Sequence, residues 1–294
     1  MLEHLNPTAV RPERVVVMGA GGFVGGAIVR RLAAAGISTL ALGRGEVDLL
    51  ADGAAERLAG LLTPDDTFIA VSALAPAKNL EMLAQNVTML RVMADALGRV
   101  TPKHVLNIGS DAVFGDEPRP LTEAAPKAAG SLHGVMHLAR ELAFADIGAP
   151  LATLRPTLIY GAADPHNGYG PNRFMRLAAA GKDIVLFGEG EERRDHVAVE
   201  DVADLAVRIV LRRSRGSLNA ATGEVWSFRA IAEMAVKLTG HPVAISGSPR
   251  QGPMPHGGYR PFDIAATRAA FPDFRYTPLP DGLARLCREL IPSQ

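Results

Sequence analysis

Three groups of residues have types and spacings suited to chemistry. The first is Gly19-Ala20-Gly21-Gly22-Phe23-Val24-Gly25, which follows the apolar run Val15-Val16-Val17-Met18 and precedes a segment with Ile28, Val29, Leu32 and Ala33 at helical spacing. A strand, a glycine-rich turn and a helix in that order place bare N–H groups and the positive end of a helix at one spot, an anion site suited to a dinucleotide pyrophosphate. Gly19 suits the tight turn, Gly22 lets the backbone approach phosphate, and Gly25 lets the helix pack on the strand. The second group is Ser110 and Asp111, directly after the apolar segment His104-Val105-Leu106-Asn107-Ile108, where a hydroxyl at a strand end can meet a substrate. The third is His133 and His137, four residues apart in a helical pattern over residues 131–145, so that both imidazoles share one helix face.

These groups need elements to hold them. Strands are expected at 38–42, 67–71, 104–108, 151–155 and 184–187, with a short one at 47–49. Helices are expected after the glycine turn, up to about residue 62, and over 79–97, 131–145, 171–180, 200–211 and 227–239, with more near 264 and 281. Strand–helix alternation up to Tyr160 predicts an α/β fold, a doubly wound parallel sheet covered on both faces. Beyond Tyr160 the regularity fails, and a smaller C-terminal lobe over the sheet's carboxyl edge is expected. The division is residues 1–14 as a flexible arm, 15–160 as the cofactor domain with a contribution from about 192–220, and 161–191 with 221–294 as the substrate lobe.

Composition narrows the class. The 294 residues carry 31 Lys+Arg against 31 Asp+Glu, so no basic surface advertises nucleic acid or a membrane. The single cysteine, Cys287, excludes a disulfide framework and reads as a helix residue. No signal-peptide pattern and no membrane-length apolar run is present, so a cytoplasmic location is expected. At the tip of the second strand, Gly43-Arg44 offers a guanidinium and no carboxylate, which favours NADP(H) over NAD(H).

Read together, the glycine turn, Asn86-Val87-Thr88, Gly109-Ser110-Asp111-Ala112-Val113-Phe114-Gly115, Leu154-Arg155-Pro156, Ile159-Tyr160-Gly161 and Arg194-Asp195-His196-Val197-Ala198-Val199-Glu200-Asp201 resemble the extended short-chain dehydrogenases, the NAD-dependent epimerase/dehydratase family. Gly43-Arg44 with Val47-Asp48-Leu49 is similar to its keto-sugar-nucleotide reductase branch. The resemblance implies a Rossmann-type fold and a nucleotide-sugar or small carbonyl substrate. It assigns cofactor contacts to Gly19, Gly21, Gly22, Phe23, Val24, Gly25, Arg44, Asp48, Leu49, Ser72, Ala73, Leu74, Asn86, His137 and Pro156. It assigns substrate contacts to Asn172, Arg194 and Arg260, and implies a homodimer paired through the helices at 79–97 and 131–145.

One departure stands out. The family's Tyr-x-x-x-Lys pair falls on His133 and His137. Imidazole has a free pKa of about 6.5 and can move protons at neutral pH without a lysine to tune it. It is also shorter than phenol, and a misplacement of about 1 Å costs roughly 100-fold in rate. Three readings follow: an oxidoreductase or epimerase with Ser110, Asp111, His133 and His137 in its site; an inactive NADP(H)-binding sensor or scaffold; and, least favoured, a metal held by His133 and His137 with Asp111 or His166.

Overall fold

The computed structural model describes residues 1–291. In chain order it runs β1 (Glu3–His4), β2 (Val15–Met18), α1 (Phe23–Ala34), β3 (Thr39–Leu42), α2 (Ala54–Ala59), β4 (Thr67–Ala70), α3 (Leu80–Arg99), β5 (His104–Ile108), α4 (Leu132–Ala145), β6 (Leu151–Pro156) and β7 (Leu158–Tyr160). There follow α5 (Pro171–Ala179), β8 (Ile184–Phe187), β9 (Arg193–Arg194), β10 (His196–Ala198), α6 (Val199–Leu211), β11 (Ser214–Ala220), β12 (Trp226–Ser227), α7 (Phe228–Thr239), β13 (Ile245–Ser248), β14 (Tyr259–Arg260), α8 (Ala265–Ala270) and α9 (Leu279–Leu290).

Seven strands form the main sheet in the order β1-β11-β6-β5-β4-β2-β3, parallel throughout except for β1. β2, β4 and β5 are buried along their whole length, as expected for strands covered on both faces. α1 and α6 cover one face, where Ile28, Leu32, Val202, Leu205 and Ile209 form the core. α3 and α4 cover the other, with Leu90, Met93, Leu97 and Phe144 packed on Val16, Phe68 and Val105. The chain leaves β2 toward β3 and returns to β4 on the other side, so the strand order reverses between β2 and β4. In doubly wound sheets ligands bind at the carboxyl ends beside such a reversal. A separate core around Tyr160, Phe174, Ile184, Phe228 and Leu283 holds α5, α7 and α9 together.

Helix starts follow local chemistry. Asn79 accepts from Met82 N at 2.8 Å, Ser131 from Gly134 N at 3.1 Å and Ser227 from Ala230 N at 3.1 Å, each capping its helix.

Two expectations need correction, and one strand was not expected. Residues 1–14 are not a free arm: Glu3 and His4 pair with Arg215 and Ser214 as an antiparallel edge strand, and His4 Nδ1 lies 2.7 Å from Ser214 Oγ. Residues 47–49 form no strand; Val47 N bonds back to Gly43 O in a turn that buries Val47 and Leu49. β11 was not foreseen. Its sequence Ser-Arg-Gly-Ser-Leu-Asn-Ala is mostly polar, and its pairing with β6 decides its conformation.

His104 and His196 are among the histidines buried without charge partners that would keep them protonated. Burial pushes His104 down to about 4 and His196 down to about 3. Unfolding restores a pKa near 6.5, so the unfolded chain binds these protons first and stability falls as pH drops below about 6.5. Each group contributes about 1.4 kcal/mol per pH unit until its folded pKa is reached. Asp195, pushed up to about 6 by burial, acts in the opposite sense between about 6 and 3.8. The two histidines outweigh it. Thermal melts should therefore show Tm falling steadily from pH 7 to 4.5, and a Tm constant over that range would contradict this ledger of protons.

Candidate active site

At the carboxyl edge of the sheet the glycine turn, the β4 and β5 ends, the start of α4 and the C-terminal lobe enclose a cleft of about 1400 Å³. Its glycine end is shaped by close approach. A Cβ on Gly25 would fall on the Gly19 carbonyl oxygen, so only glycine lets α1 seat on the turn. Gly19 has φ +101°, and a Cβ there would stand 2.6 Å from Ser72 N. Beside Gly21 the space is open. Gly22 begins α1 with no side-chain cap, leaving first-turn N–H groups for a ligand in the cleft. Backbone donors, a helix N-terminus and an open glycine fit a dinucleotide pyrophosphate.

Gly19, Gly21, Gly22, Phe23, Val24, Gly25, Arg44, Asp48, Leu49, Ser72, Ala73, Leu74 and Pro156 all line this cleft. Asn86 does not. It is 4 % exposed, and its amide braces the cleft wall, accepting from Leu74 N at 2.9 Å and donating to Leu74 O at 3.0 Å. The tip of β3 also differs from expectation. Arg44 is exposed, but Glu46 folds back to accept from Gly43 N at 2.8 Å, so a carboxylate stands at a tip that the residue order suggested was free of one.

Ser110, Asp111, His133 and His137 line the same cleft, with Ser110 at the end of β5 and both histidines on the first turns of α4. Gly134 makes this proximity work: a Cβ there would overlap the Ala112 carbonyl oxygen, so the start of α4 rests directly on the short turn after Ser110. Ser110 Oγ accepts from Ala112 N at 3.2 Å, which leaves its hydrogen for a ligand. The two imidazoles meet edge to face, with centroids 4.6 Å apart. In each ring Nδ1 is buried without a partner, and both residues line the cleft. Burial lowers the His133 pKa, opposed by Asp111. Burial, Arg140 and His133 together hold His137 well below the ordinary value. Both rings are neutral at pH 7.

α4 is fixed from beneath. Glu141 takes a bidentate pair from Arg155 at 2.7 and 2.9 Å, with Lys127 at 2.8 Å. The least favoured reading, a metal held by His133 and His137 with Asp111 or His166, finds no support: His166 lines the cleft, but among the described residues no group of three or more His, Cys, Asp or Glu side chains could hold a metal ion.

The substrate end differs from expectation in its arginines. Arg260 lines the cleft but is 3 % exposed and fully engaged. It donates to Asp111 Oδ2 at 3.1 Å, Asp116 Oδ1 at 2.8 Å and the carbonyls of Asp111, Phe114 and Gly115. It braces the loop after β5 instead of facing a ligand, a task invisible in sequence because Asp111 and Asp116 lie more than 140 residues away. Asn172 lines the cleft as well, buried and accepting from Gly161 N at 2.9 Å while donating to Asp164 at 2.8 Å. Arg194 lines the cleft, held by Glu192 at 3.2 Å. Asp116 and His256 are among the cleft residues that sequence reasoning missed; His256 Nδ1 lies 2.5 Å from Asp116 Oδ1.

The fold and cleft define a dinucleotide-type parallel-sheet protein, and comparison with known proteins specifies it. The model of the NAD dependent epimerase/dehydratase family matches residues 15–221, and the chain belongs to that family. It is 28% identical over 228 residues to UDP-glucose 4-epimerase of Mycolicibacterium smegmatis, covering 66% of this chain and 72% of that one. It is 27% identical to dTDP-4-dehydro-6-deoxy-D-allose reductase of Streptomyces bikiniensis, covering 93% and 95%. The fold of a GDP-L-fucose synthetase from Naegleria fowleri bound to NADP superimposes with a TM-score of 0.83 at 16% identity, covering 98% and 97%. No helix among the described residues is long and apolar enough to cross a membrane.

Gly134→Ala tests the seating of α4. The added methyl should displace the helix start from Ala112, costing about 1–3 kcal/mol and lowering Tm by several degrees. An unchanged melt would show that this contact does not position the histidines.

Proposed function

We propose that this chain is a nicotinamide-dependent oxidoreductase or epimerase in which His133 performs the proton transfer that the family assigns to tyrosine. The observation that supports it most is the placement of His133 in the same cleft as Ser110 and the glycine turn, with Gly134 pressing α4 onto the turn after Ser110. The cofactor reading is NADP(H), held by the glycine-turn N–H groups, with Arg44 at the adenosine end and His137 at the nicotinamide ribose. When bound, the nicotinamide supplies the site that accepts or donates hydride.

The chain's own residues handle the proton. Ser110 Oγ–H donates to the substrate oxygen and holds it in the cleft. His133 gives a proton to that oxygen in the reducing direction and takes it in the oxidising direction. With its pKa lowered by burial it is ready as a base in the oxidising direction, whereas as an acid it must first take up a proton, so reduction should speed up as pH falls below 7. His137, also neutral, offers one hydrogen bond to the ribose where lysine would offer a charge. On the substrate side the relatives point to a nucleotide sugar, with Arg194 reaching its diphosphate as Glu192 yields. A small carbonyl compound remains the alternative substrate, and α3 with α4 the proposed homodimer face.

His133→Phe keeps ring volume and removes the titrating nitrogen. It should lower turnover at least 100-fold (about 10²–10⁴ for loss of an acid–base group) while changing NADPH affinity by less than about threefold, as read by nicotinamide fluorescence. Unchanged turnover would overturn the role of His133. In the same assay UDP or dTDP should compete with substrate, and Arg194→Ala should weaken that competition; indifference to nucleotides would assign the cleft to a small carbonyl compound.

A further inference from the structure

Three arginines are almost wholly buried. Arg155 has Glu141, and Arg260 has Asp111 and Asp116. Arg140 is 2 % exposed and has no carboxylate within ion-pair distance among the described residues. Its Nη1 donates to Ser72 O at 3.1 Å and its Nη2 to Ala70 O at 2.9 Å, while Nε has no acceptor. Burial lowers its pKa only to about 10, so the guanidinium stays charged at neutral pH. A buried cation without a counter-charge is costly, and an apolar side chain of similar volume would fill the space at lower cost.

Its place in the fold supplies a reason. Arg140 lies one helical turn beyond His137 on α4, and the carbonyls it holds belong to the carboxyl end of β4, at the strand-order reversal. Ser72 is also the residue against which Gly19 is pressed, and its other side lines the cleft. The guanidinium therefore stands one residue behind the cleft wall, beside the glycine turn. Both imidazoles on α4 are neutral, so this part of the helix offers the cleft no other positive charge.

We propose that Arg140 is a positioning residue for the dinucleotide: seated on the Ala70 and Ser72 carbonyls behind the glycine turn, it acts through its charge, and its counter-ion is the dinucleotide's own phosphate charge. This rests on reading the cleft as a dinucleotide site. Arg140 then takes over, from behind the wall, the long-range electrostatic task of a lysine that α4 lacks. Its strength comes from burial, because solvent does not screen a charge that water cannot reach.

The test is calorimetric titration of NADPH into the wild type, Arg140→Met and Arg140→Lys, each first shown to be folded by its melting transition. Arg140→Met should weaken NADPH by about tenfold or more, whereas Arg140→Lys, which keeps the charge but not the two-carbonyl grip, should stay within about threefold of wild type. Met binding as tightly as wild type would overturn the proposal. Lys binding as weakly as Met would also overturn it, since geometry alone would then explain the loss. If Arg140→Met does not fold, Arg140→Gln takes its place with the same expectation. A wild type that binds neither NADPH nor NADH would overturn both this proposal and the cofactor reading; normal wild-type binding with an unaffected neutral variant would overturn this one alone.

Discussion

Where α1 meets the glycine-rich turn there is no room for a side chain. Gly25 lies against the Gly19 carbonyl, and Gly19 against Ser72. These contacts bring together three elements that are distant in sequence: the β2 end, the first turn of α1 and the β4 end. Everything at the carboxyl edge is referenced to that junction. It opens the α1 N-terminus onto the cleft, and it sets Ser72 and its neighbours as the facing wall, which Asn86 braces through Leu74 and Arg140 through Ser72. A methyl group at position 25 would separate helix from turn and undo the anion site without touching any charged residue.

A second close approach does for chemistry what the first does for binding. Gly134 seats α4 on Ala112, and Glu141 clamps the same helix to β6 through Arg155. Between these points sit the two imidazoles, whose burial lowers their pKa. Such a site differs electrically from one built on tyrosine and lysine. A phenol needs a neighbouring cation to bring its pKa from about 10 toward neutrality, whereas an imidazole beginning near 6.5 does not. On the proposed reading, a histidine acting in place of a tyrosine would need no neighbouring lysine to tune it.

Much of this was legible in the sequence because it depends on local patterns. Glycines at fixed offsets after Val15–Met18 announced the junction. Apolar residues at helical spacing announced the helices over 79–97 and 131–145, and the His133–His137 spacing announced a shared helix face. What was illegible depends on partners far along the chain. Arg260 carries the residue type of a phosphate ligand, yet Asp111 and Asp116 use it to hold a loop. The polar β11 is a strand only because β6 lies beside it, and the first residues are ordered only because β11 offers an edge. Arg140 drew no notice in sequence, where it is one more charged residue on a helix; burial without a counter-ion gives it meaning.

The central claim is that the paired histidines of α4 border the dinucleotide site. Proton NMR of the imidazole Cε1–H signals tests it most directly, with His133 and His137 assigned by their loss in single substitutions. On saturation with NADPH at pH 7 both signals should shift, while that of His4, held by Ser214 at the opposite end of β11, should stay in place. NADPH binding, verified by calorimetry, with His133 and His137 signals unmoved would place the cofactor elsewhere and contradict the account.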